Sequence, residues 1–244
     1  MIIISRVIPT ADPTSLTGQR LILASVSLAS LLGALDMSIV NIANPAIIKS
    51  LNVSIGMGSL VILSYVLTIS VLILLMGKLG DRIGFRSLLL GGFVIFGMGS
   101  FLCGISNSIQ WLIAARILQA IGAAMFSAIG PAVITEFLPE SQRGKSLGYL
   151  ISLSAVGFAL GPGIGGFIAE YADWHWIFFL NIPIIIVALI LGWYCIPRQT
   201  LPPMQTKMRI SGPATFVIAL LCILLAFSLF QVPSTPDLIL LLLF

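Results

Sequence analysis

Long apolar runs, separated by short polar links, make up most of the sequence. A helix needs about 20 mostly apolar residues to cross a bilayer. Runs of about this length lie at 21–42, 59–76, 87–105, 109–134, 147–169, 176–196 and 213–230. A further apolar run begins near Asp237 and stops at Phe244, too early for a complete span. We therefore expect an all-α integral membrane protein with six spans, a seventh and the start of an eighth, as in a fragment of a longer chain.

The links between the runs are too short to hold a soluble domain. We expect residues 1–20 to form a cytoplasmic N-terminal segment and residues 21–196 to form a six-helix domain. Residues 197–212 are expected to be a cytoplasmic linker, and residues 213–244 the seventh helix and the truncated eighth. The first run is longer than the core of a cleaved signal peptide, about 7–15 residues, and is therefore expected to stay as a span.

Composition places the chain among membrane proteins. Hydrophobic residues make up 59% of it and charged residues only 8%, whereas about a quarter of the residues in a soluble domain are charged. The net charge of +4 does not indicate nucleic acid binding, because the bases form short clusters between apolar runs. We find no nucleotide-binding loop, metal-ligand spacing or catalytic triad pattern. We expect neither an enzyme nor a cofactor or metal, and the lipid bilayer as a partner.

Basic residues concentrate on one predicted side of the bilayer. With a cytoplasmic N-terminus, that side carries Arg6, Arg20, Lys78, Arg82, Arg86, Arg143, Lys145, Arg198, Lys207 and Arg209. The other side carries Lys49 and the acids Glu170, Asp173 and Asp237. Positive charge is retained on the cytoplasmic side of membranes, so we expect a multi-pass protein of the cell membrane with its N-terminus inside.

The six spans of the expected domain fall into two similar triplets. The first span is expected to end at Asn44-Pro45 and the fourth at Gly130-Pro131, at nearly the same depth. An odd number of spans in each triplet would invert the second copy relative to the first. Paired helix breaks in inverted repeats are typical of transporters, although prolines near helix ends are also common for local reasons.

Two charged residues, Asp36 and Arg116, lie well inside predicted spans. Burying either in hydrocarbon costs at least about 2.5–3.5 kcal/mol, so such groups tend to face a cavity or a partner. They lie at similar depths, and we expect them either to meet or to line one cavity. Asn41, Asn44 and Gln119 lie near them in sequence and are expected to add to the polar lining. The pair is interpreted as functional, with a purely structural ion pair as the alternative.

Two further stretches combine glycine with unusual neighbours. The link between the second and third spans is expected to turn tightly and to act as a cytoplasmic gate, through Gly77, Gly80, Asp81, Arg82, Gly84 and Arg86. In it, Asp81 is expected at a helix N-terminus or beside a base. The fifth span is expected to pack closely on another helix and to bend, through Gly157, Gly161, Pro162, Gly165 and Gly166. His175, between two tryptophans, is expected to lie at the surface.

These stretches resemble signatures of the major facilitator superfamily, taken in order along the chain. Residues 77–86 are similar to its loop signature, 112–122 to its fourth-helix signature and 157–166 to the fifth-helix signature associated with antiporters. Residues 35–45 and 174–183 resemble the first-helix and sixth-helix signatures of the fourteen-helix drug:proton antiporter branch. The chain departs from the family's patterns at four places. Phe85 stands where a base is usual and Ala120 where glycine is usual. His175 stands where arginine is commoner, and Ile184 where glycine is common.

The resemblance implies an N-terminal domain of two inverted three-helix repeats, two linking helices and a C-terminal half that lies beyond this sequence. It also implies proton-driven efflux of small amphipathic substrates, with protons and the C-terminal half as partners. Two rivals remain. One is a metabolite exporter or solute:proton symporter on the same scaffold, and the other is a membrane receptor or sensor that has kept the fold without transporting anything.

Overall fold

A computed structural model of the chain describes residues 15–197, and within this range all regular structure is helical. The helices are α1 (Leu16–Leu51), α2 (Ile55–Ile83), α3 (Phe85–Gly104), α4 (Ile109–Phe137), α5 (Glu140–Tyr171), α6 (Trp176–Phe179) and α7 (Asn181–Cys195). The short α6 and α7 together form one span, so the described part holds six helices long and apolar enough to cross a membrane. The six expected spans are confirmed, and the seventh and eighth lie outside the described residues.

Serine side chains begin three of the spans. Ser15, Ser54 and Ser108 each accept a hydrogen bond from the backbone N–H three residues ahead, at 3.0, 3.3 and 3.3 Å. Such a cap satisfies one of the N–H groups that a helix leaves unpaired in its first turn. The helices therefore start at polar residues and extend beyond the apolar runs that predicted them.

Two predicted helix ends are wrong. Pro45 lies inside α1, which continues to Leu51, and Pro131 lies inside α4, which continues to Phe137. A proline removes one backbone hydrogen bond but need not end a transmembrane helix, because neighbouring groups can satisfy the freed carbonyl. Proline content alone therefore does not give the length of these spans.

The packing of the bundle has the symmetry of two exchanged triplets. Helix α1 packs chiefly against α5, and α2 packs chiefly against α4. The counterpart of α1 in the second triplet is α4, and the counterpart of α2 is α5. Exchanging counterparts therefore converts the α1–α5 pair into the α4–α2 pair. Likewise α3 packs on α4, while α7 packs on α1. This pattern is the one expected of two inverted three-helix repeats.

Glycines bring α3 and α4 into backbone contact. A Cβ added to Gly99 would lie 2.5 Å from the backbone of Gln119, and one added to Gly122 would lie 2.4 Å from the nitrogen of Phe96. Side chains at these two positions would force the helices apart. Small residues allow this close approach between membrane helices, and it places the polar side chains of α3 and α4 side by side.

The glycine ridge of α5 packs on α1 as predicted. A Cβ at Gly157 would lie 2.7 Å from the carbonyl oxygen of Leu31, and one at Gly165 would lie 3.2 Å from that of Ile39. Gly166 has no neighbouring atom within 4 Å of such a Cβ and lies off this contact. The ridge therefore fixes how closely α5 approaches the helix that carries Asp36.

Candidate functional site

An ion pair lies in the interior of the bundle. Arg116 of α4 donates from Nη1 to Oδ2 of Asp36 of α1 at 2.7 Å. The two residues are only 1% and 2% exposed, respectively. The sequence left open whether these residues meet or line a cavity, and in the structure they meet. Both side chains are enclosed by the bundle, so the expectation that they line an open cavity does not hold for this conformation.

Two amides complete the surroundings of the carboxylate. Gln119 of α4 and Asn181 of α7 donate to Oδ1 of Asp36 at 2.9 and 2.8 Å. Arg116 also donates to Oε1 of Gln119 at 2.6 Å. The carboxylate thus accepts hydrogen bonds from three side chains, and the guanidinium bridges the carboxylate and one of the amides. Hydrogen bonds to an ionised group are roughly twice as strong as neutral ones.

Ser100 of α3 joins this network to the start of the last span. Its Oγ accepts from Nε2 of Gln119 at 3.2 Å and from Nδ2 of Asn181 at 3.0 Å. The same hydroxyl donates to the backbone oxygen of Phe178 at 2.8 Å. Side chains or backbone from α1, α3, α4, α6 and α7 therefore meet around one carboxylate.

Aromatic rings cover the remaining sides of the guanidinium. Its Cζ lies 3.9 Å from the ring centroid of Tyr65 of α2 and 5.9 Å from that of Phe178. A cation over an aromatic face is stabilised by the charge distribution of the ring, by about 2 kcal/mol or more when water is excluded. Three buried polar atoms of this network have no hydrogen-bond partner in the described part of the chain: Nε of Arg116, Oδ1 of Asn181 and the hydroxyl of Tyr65.

The two charges of this buried pair depend on each other. Oδ2 of Asp36 accepts the hydrogen bond from Arg116, and arginine does not lose its own proton in proteins. Because the pair is buried, an unpaired partner would carry a large desolvation cost. The pair therefore ties α1 to α4 in the interior of the bundle.

The two asparagines expected near Asp36 lie elsewhere. Asn41 is exposed on α1. Asn44 is half-buried and faces α2, where a Cβ on Gly58 would lie 3.3 Å from its Oδ1. Neither residue hydrogen-bonds to the network among the described residues. Sequence spacing placed Asn44 broadly on the face of Asp36, but α2 covers the part of that face that carries Asn44.

The predicted tight turn between the second and third spans is mostly helix. Gly77, Gly80, Asp81 and Arg82 all belong to α2, and only Gly84 separates it from α3. Gly84 has φ 89°, in a region that favours glycine. Gly80 is buried, and a Cβ there would lie 2.3 Å from Cδ1 of Ile129 on α4. The first part of the stretch is therefore a helix–helix contact.

The predicted capping role of Asp81 is wrong for this conformation. Asp81 lies exposed in the last turn of α2, and α3 begins without a side-chain cap. Asp81 makes no hydrogen bond or ion pair within residues 15–197. Arg86 instead donates to the backbone oxygen of Trp193 at 2.6 Å, with its Cζ 5.1 Å from that indole. This oxygen lies in the last turn of α7, where a helix leaves its carbonyl groups unpaired, so Arg86 satisfies it.

Pro162 leaves a backbone oxygen unpaired within α5, and a side chain of α1 satisfies it. It lies inside α5 and has no N–H to offer the backbone oxygen of Phe158, four residues earlier. Ser38 of α1 donates to that oxygen at 3.0 Å. Gly161 provides the space, since a Cβ there would lie 2.2 Å from Oγ of Ser38. The glycine and the proline together thus make a docking position for a side chain two residues from Asp36.

Sequence reasoning missed three members of the network as site residues: Tyr65, Ser100 and Asn181. Each is a polar side chain inside an apolar run, which was a usable signal for Asn181 in particular. Serines are frequent in these spans, and several of them only bond back to their own helix, as Ser59, Ser70 and Ser154 do. Ser100 could not be separated from such serines without knowing the contact between α3 and α4.

The fold and site define a multi-pass helical membrane protein whose two three-helix halves meet at a buried ion pair. The family follows from sequence: the Major Facilitator Superfamily profile matches residues 26–244. The chain belongs to this superfamily, which confirms the resemblance of its signatures. The fold agrees, because the proton:xylose symporter XylE superposes with a TM-score of 0.66 at 18% identity, over 75% of this chain and 45% of the symporter.

Two curated relatives indicate the breadth of the group. The riboflavin transporter RibZ of Clostridioides difficile is 36% identical over 206 residues, which cover 84% of this chain and 45% of that protein. The protein MdtD of Pectobacterium atrosepticum, whose name refers to multidrug resistance, is 36% identical over 193 residues, or 79% of this chain and 41% of that protein. The chain thus spans less than half the length of these relatives.

Proposed function

We propose that the full-length protein is a secondary transporter that exports small amphipathic compounds, including cationic drugs, in exchange for protons. Membership of the superfamily supports transport, and the MdtD relatives support a multidrug substrate range. The observation that carries proton coupling is the buried Asp36, held by Arg116, Gln119 and Asn181. We further propose that the transporter lies in the cell membrane with its N-terminus in the cytoplasm, and that its C-terminal half completes the substrate path.

The enclosed carboxylate suggests an indirect form of coupling. Substrate cannot reach Asp36 in this conformation, because the residue is only 2% exposed. A proton that neutralises Asp36 weakens its attraction to Arg116, and this loosens the contacts among the helices that meet there. Proton and substrate thereby favour different arrangements of the same helices, and each shifts the equilibrium only by its difference in affinity between them.

A second candidate is a transporter of a neutral aromatic metabolite. The similarity to RibZ, named as a riboflavin transporter, is the observation that favours it. A membrane receptor or sensor that transports nothing is the remaining rival. All three readings share the fold, which does not by itself fix the function.

The test uses the full-length protein in proteoliposomes that contain a pH-sensitive dye. Proton movement is followed after addition of a cationic dye, such as ethidium, or of riboflavin, with Asp36→Asn as the variant and the exposed Asn41→Asp as the control. Substrate-driven proton movement that Asp36→Asn abolishes and Asn41→Asp retains supports the antiporter. Movement driven by riboflavin alone favours the metabolite reading. No movement with either compound, or full coupling in Asp36→Asn, contradicts the proposal.

A further inference from the structure

His175 lies in a contact that its position between two tryptophans did not predict. It was expected at the surface, but its side chain is only 23% exposed and both ring nitrogens have partners. Nδ1 contacts a carboxylate oxygen of Asp173, and Nε2 lies 2.8 Å from the backbone oxygen of Ser106. The link joins the turn between α5 and α6 to the turn between α3 and α4, at the end of the bundle opposite Gly84.

Both partners of the ring are hydrogen-bond acceptors. A neutral imidazole has one N–H, so it can donate to only one of them and turns a lone pair toward the other. Both contacts are satisfied together only when the ring carries a second proton. A carbonyl oxygen cannot supply that proton, and a carboxylate can supply it only when protonated itself.

Asp173 holds its negative charge in this contact. Its carboxylate also accepts the backbone N–H of His175 at 3.0 Å. Partial burial acts to raise the pKa of Asp173, but the hydrogen bonds from the backbone and ring of His175 and the charge of that ring outweigh it, and the pKa is lowered. A lowered pKa keeps the carboxylate ionised down to a more acidic pH, so Asp173 stays a charged acceptor facing the ring.

Other ionisable groups at this end do not take part. In the described part of the chain they are Cys103, buried in the last turn of α3, and three exposed residues: Lys49 at the end of α1, and Glu170 and Tyr171 at the end of α5. None of them hydrogen-bonds or ion-pairs with His175 among residues 15–197. The turn that supplies Ser106 contributes no charged side chain, and Trp174 contributes only a stacked ring, 3.7 Å from the imidazole between centroids.

We propose that His175 and Asp173 form a proton-binding site, separate from Asp36, which ties the α3–α4 turn to the α5–α6 turn when it is occupied. The ligand is a proton taken from the medium on that side of the membrane. When it leaves, one of the two ring contacts is lost and the turns separate. This inference goes beyond the proposed function, and its test does not depend on transport.

A short run of contacts leads from this site to the buried network. The backbone oxygen of His175 accepts the N–H of Phe178 at 3.1 Å. The backbone oxygen of Phe178 in turn accepts the hydroxyl of Ser100, which bonds to Gln119 and Asn181. Separation of the turns therefore weakens the support of the side chains that hydrogen-bond to Asp36. Proton occupancy on one face of the membrane is thereby transmitted to the centre of the bundle.

The test measures the distance between the two turns as a function of pH. Spin labels at Asn107→Cys and Glu170→Cys, both exposed, are introduced into the full-length protein after its reactive native cysteines have been removed. Distances are measured by electron–electron resonance at pH 5.5, 7.0 and 8.5, which spans the range where histidine changes charge. Because one proton is released when the turns separate, the ratio of molecules with the short distance to those with the long distance should fall as the pH rises. The expected fall is up to about tenfold per pH unit.

Variants decide whether His175 is responsible. His175→Arg keeps a positive charge with several donors, so it should hold the short distance at every pH. His175→Gln should remove the response to pH, whereas Lys49→Gln at the same end and Asp36→Asn in the centre should retain it. A wild-type distance that does not change with pH, or a His175→Gln variant that responds as the wild type does, overturns the proposal. Retention in Asp36→Asn separates this result from any failure of the coupling proposed for that carboxylate.

Discussion

Gly161 offers the sharpest test of how α5 is held against α1. Gly161→Ala adds a Cβ that would lie 2.2 Å from Oγ and 2.3 Å from Cβ of Ser38, well inside contact distance. The hydroxyl cannot simply rotate away, because the Cβ of Ser38 is also in the way. Overpacking of this kind typically costs about 1–3 kcal/mol, and the shift would also strain the bond from Ser38 to the backbone oxygen of Phe158.

Gly166 is the matched control, since it lies on the same helix and has nothing within 4 Å of an added Cβ. Gly166→Ala should be neutral or stabilising, because alanine is favoured over glycine in a helix by up to about 1 kcal/mol. Melting temperatures of the purified full-length variants in detergent and their transport rates in proteoliposomes give the comparison. Ser38→Gly should partly rescue Gly161→Ala. Equal melting temperatures for the two alanine variants would refute the reasoning.

Three other substitutions test single contacts of the described residues. Arg116→Lys should abolish substrate-driven proton movement although it keeps the charge, because an ammonium group lacks the planar guanidinium that stacks on the ring of Tyr65 while its Nη1 donates to Asp36 and Gln119; wild-type rates in proteoliposomes would contradict this. Ser38→Ala should lower the free energy of unfolding by about 1–3 kcal/mol, because the backbone oxygen of Phe158 is left without a donor, and an unchanged melting temperature would count against it. Arg86→Lys should weaken its bond and ring contact at Trp193 by about 0.5–1 kcal/mol, read as faster proteolysis at the end of α7; equal cleavage of both forms would argue otherwise.

The spans and the central ion pair could be predicted because they depend on strong, local signals. Apolar runs of membrane length have few alternatives to helix, and a charged residue within one must find a partner. Asp36 and Arg116 satisfy each other for that reason. The glycine ridge on α5 was also readable, because small residues at four-residue intervals lie on one face of a helix.

The rest of the site depends on which helix lies beside which, and that information is not local. Asn44 and Asp36 share one broad side of α1, but α2 covers one part of that side and α4 the other. Ser100 looks like any serine of a span until Gly99 and Gly122 bring α3 against α4. The stretch 77–86 looked like a loop because it is rich in glycine, yet Gly80 is there to let α2 approach α4. Gly80 allows a helix contact, Gly84 forms a turn and Gly77 has no neighbour within 4 Å of an added Cβ. Only the fold distinguishes these roles.

Pro162 links these local and distant requirements. It leaves the backbone oxygen of Phe158 without its helical partner, and Ser38 of α1 donates to that oxygen instead. The proline therefore exchanges a bond within one helix for a bond between two. In a bilayer an unsatisfied carbonyl costs several kcal/mol, so the donor and the oxygen are held together more firmly than apolar packing alone would hold them. A movement that separates α5 from α1 has to supply another donor to Phe158, and this favours conformations in which the two helices move as a unit with Asp36.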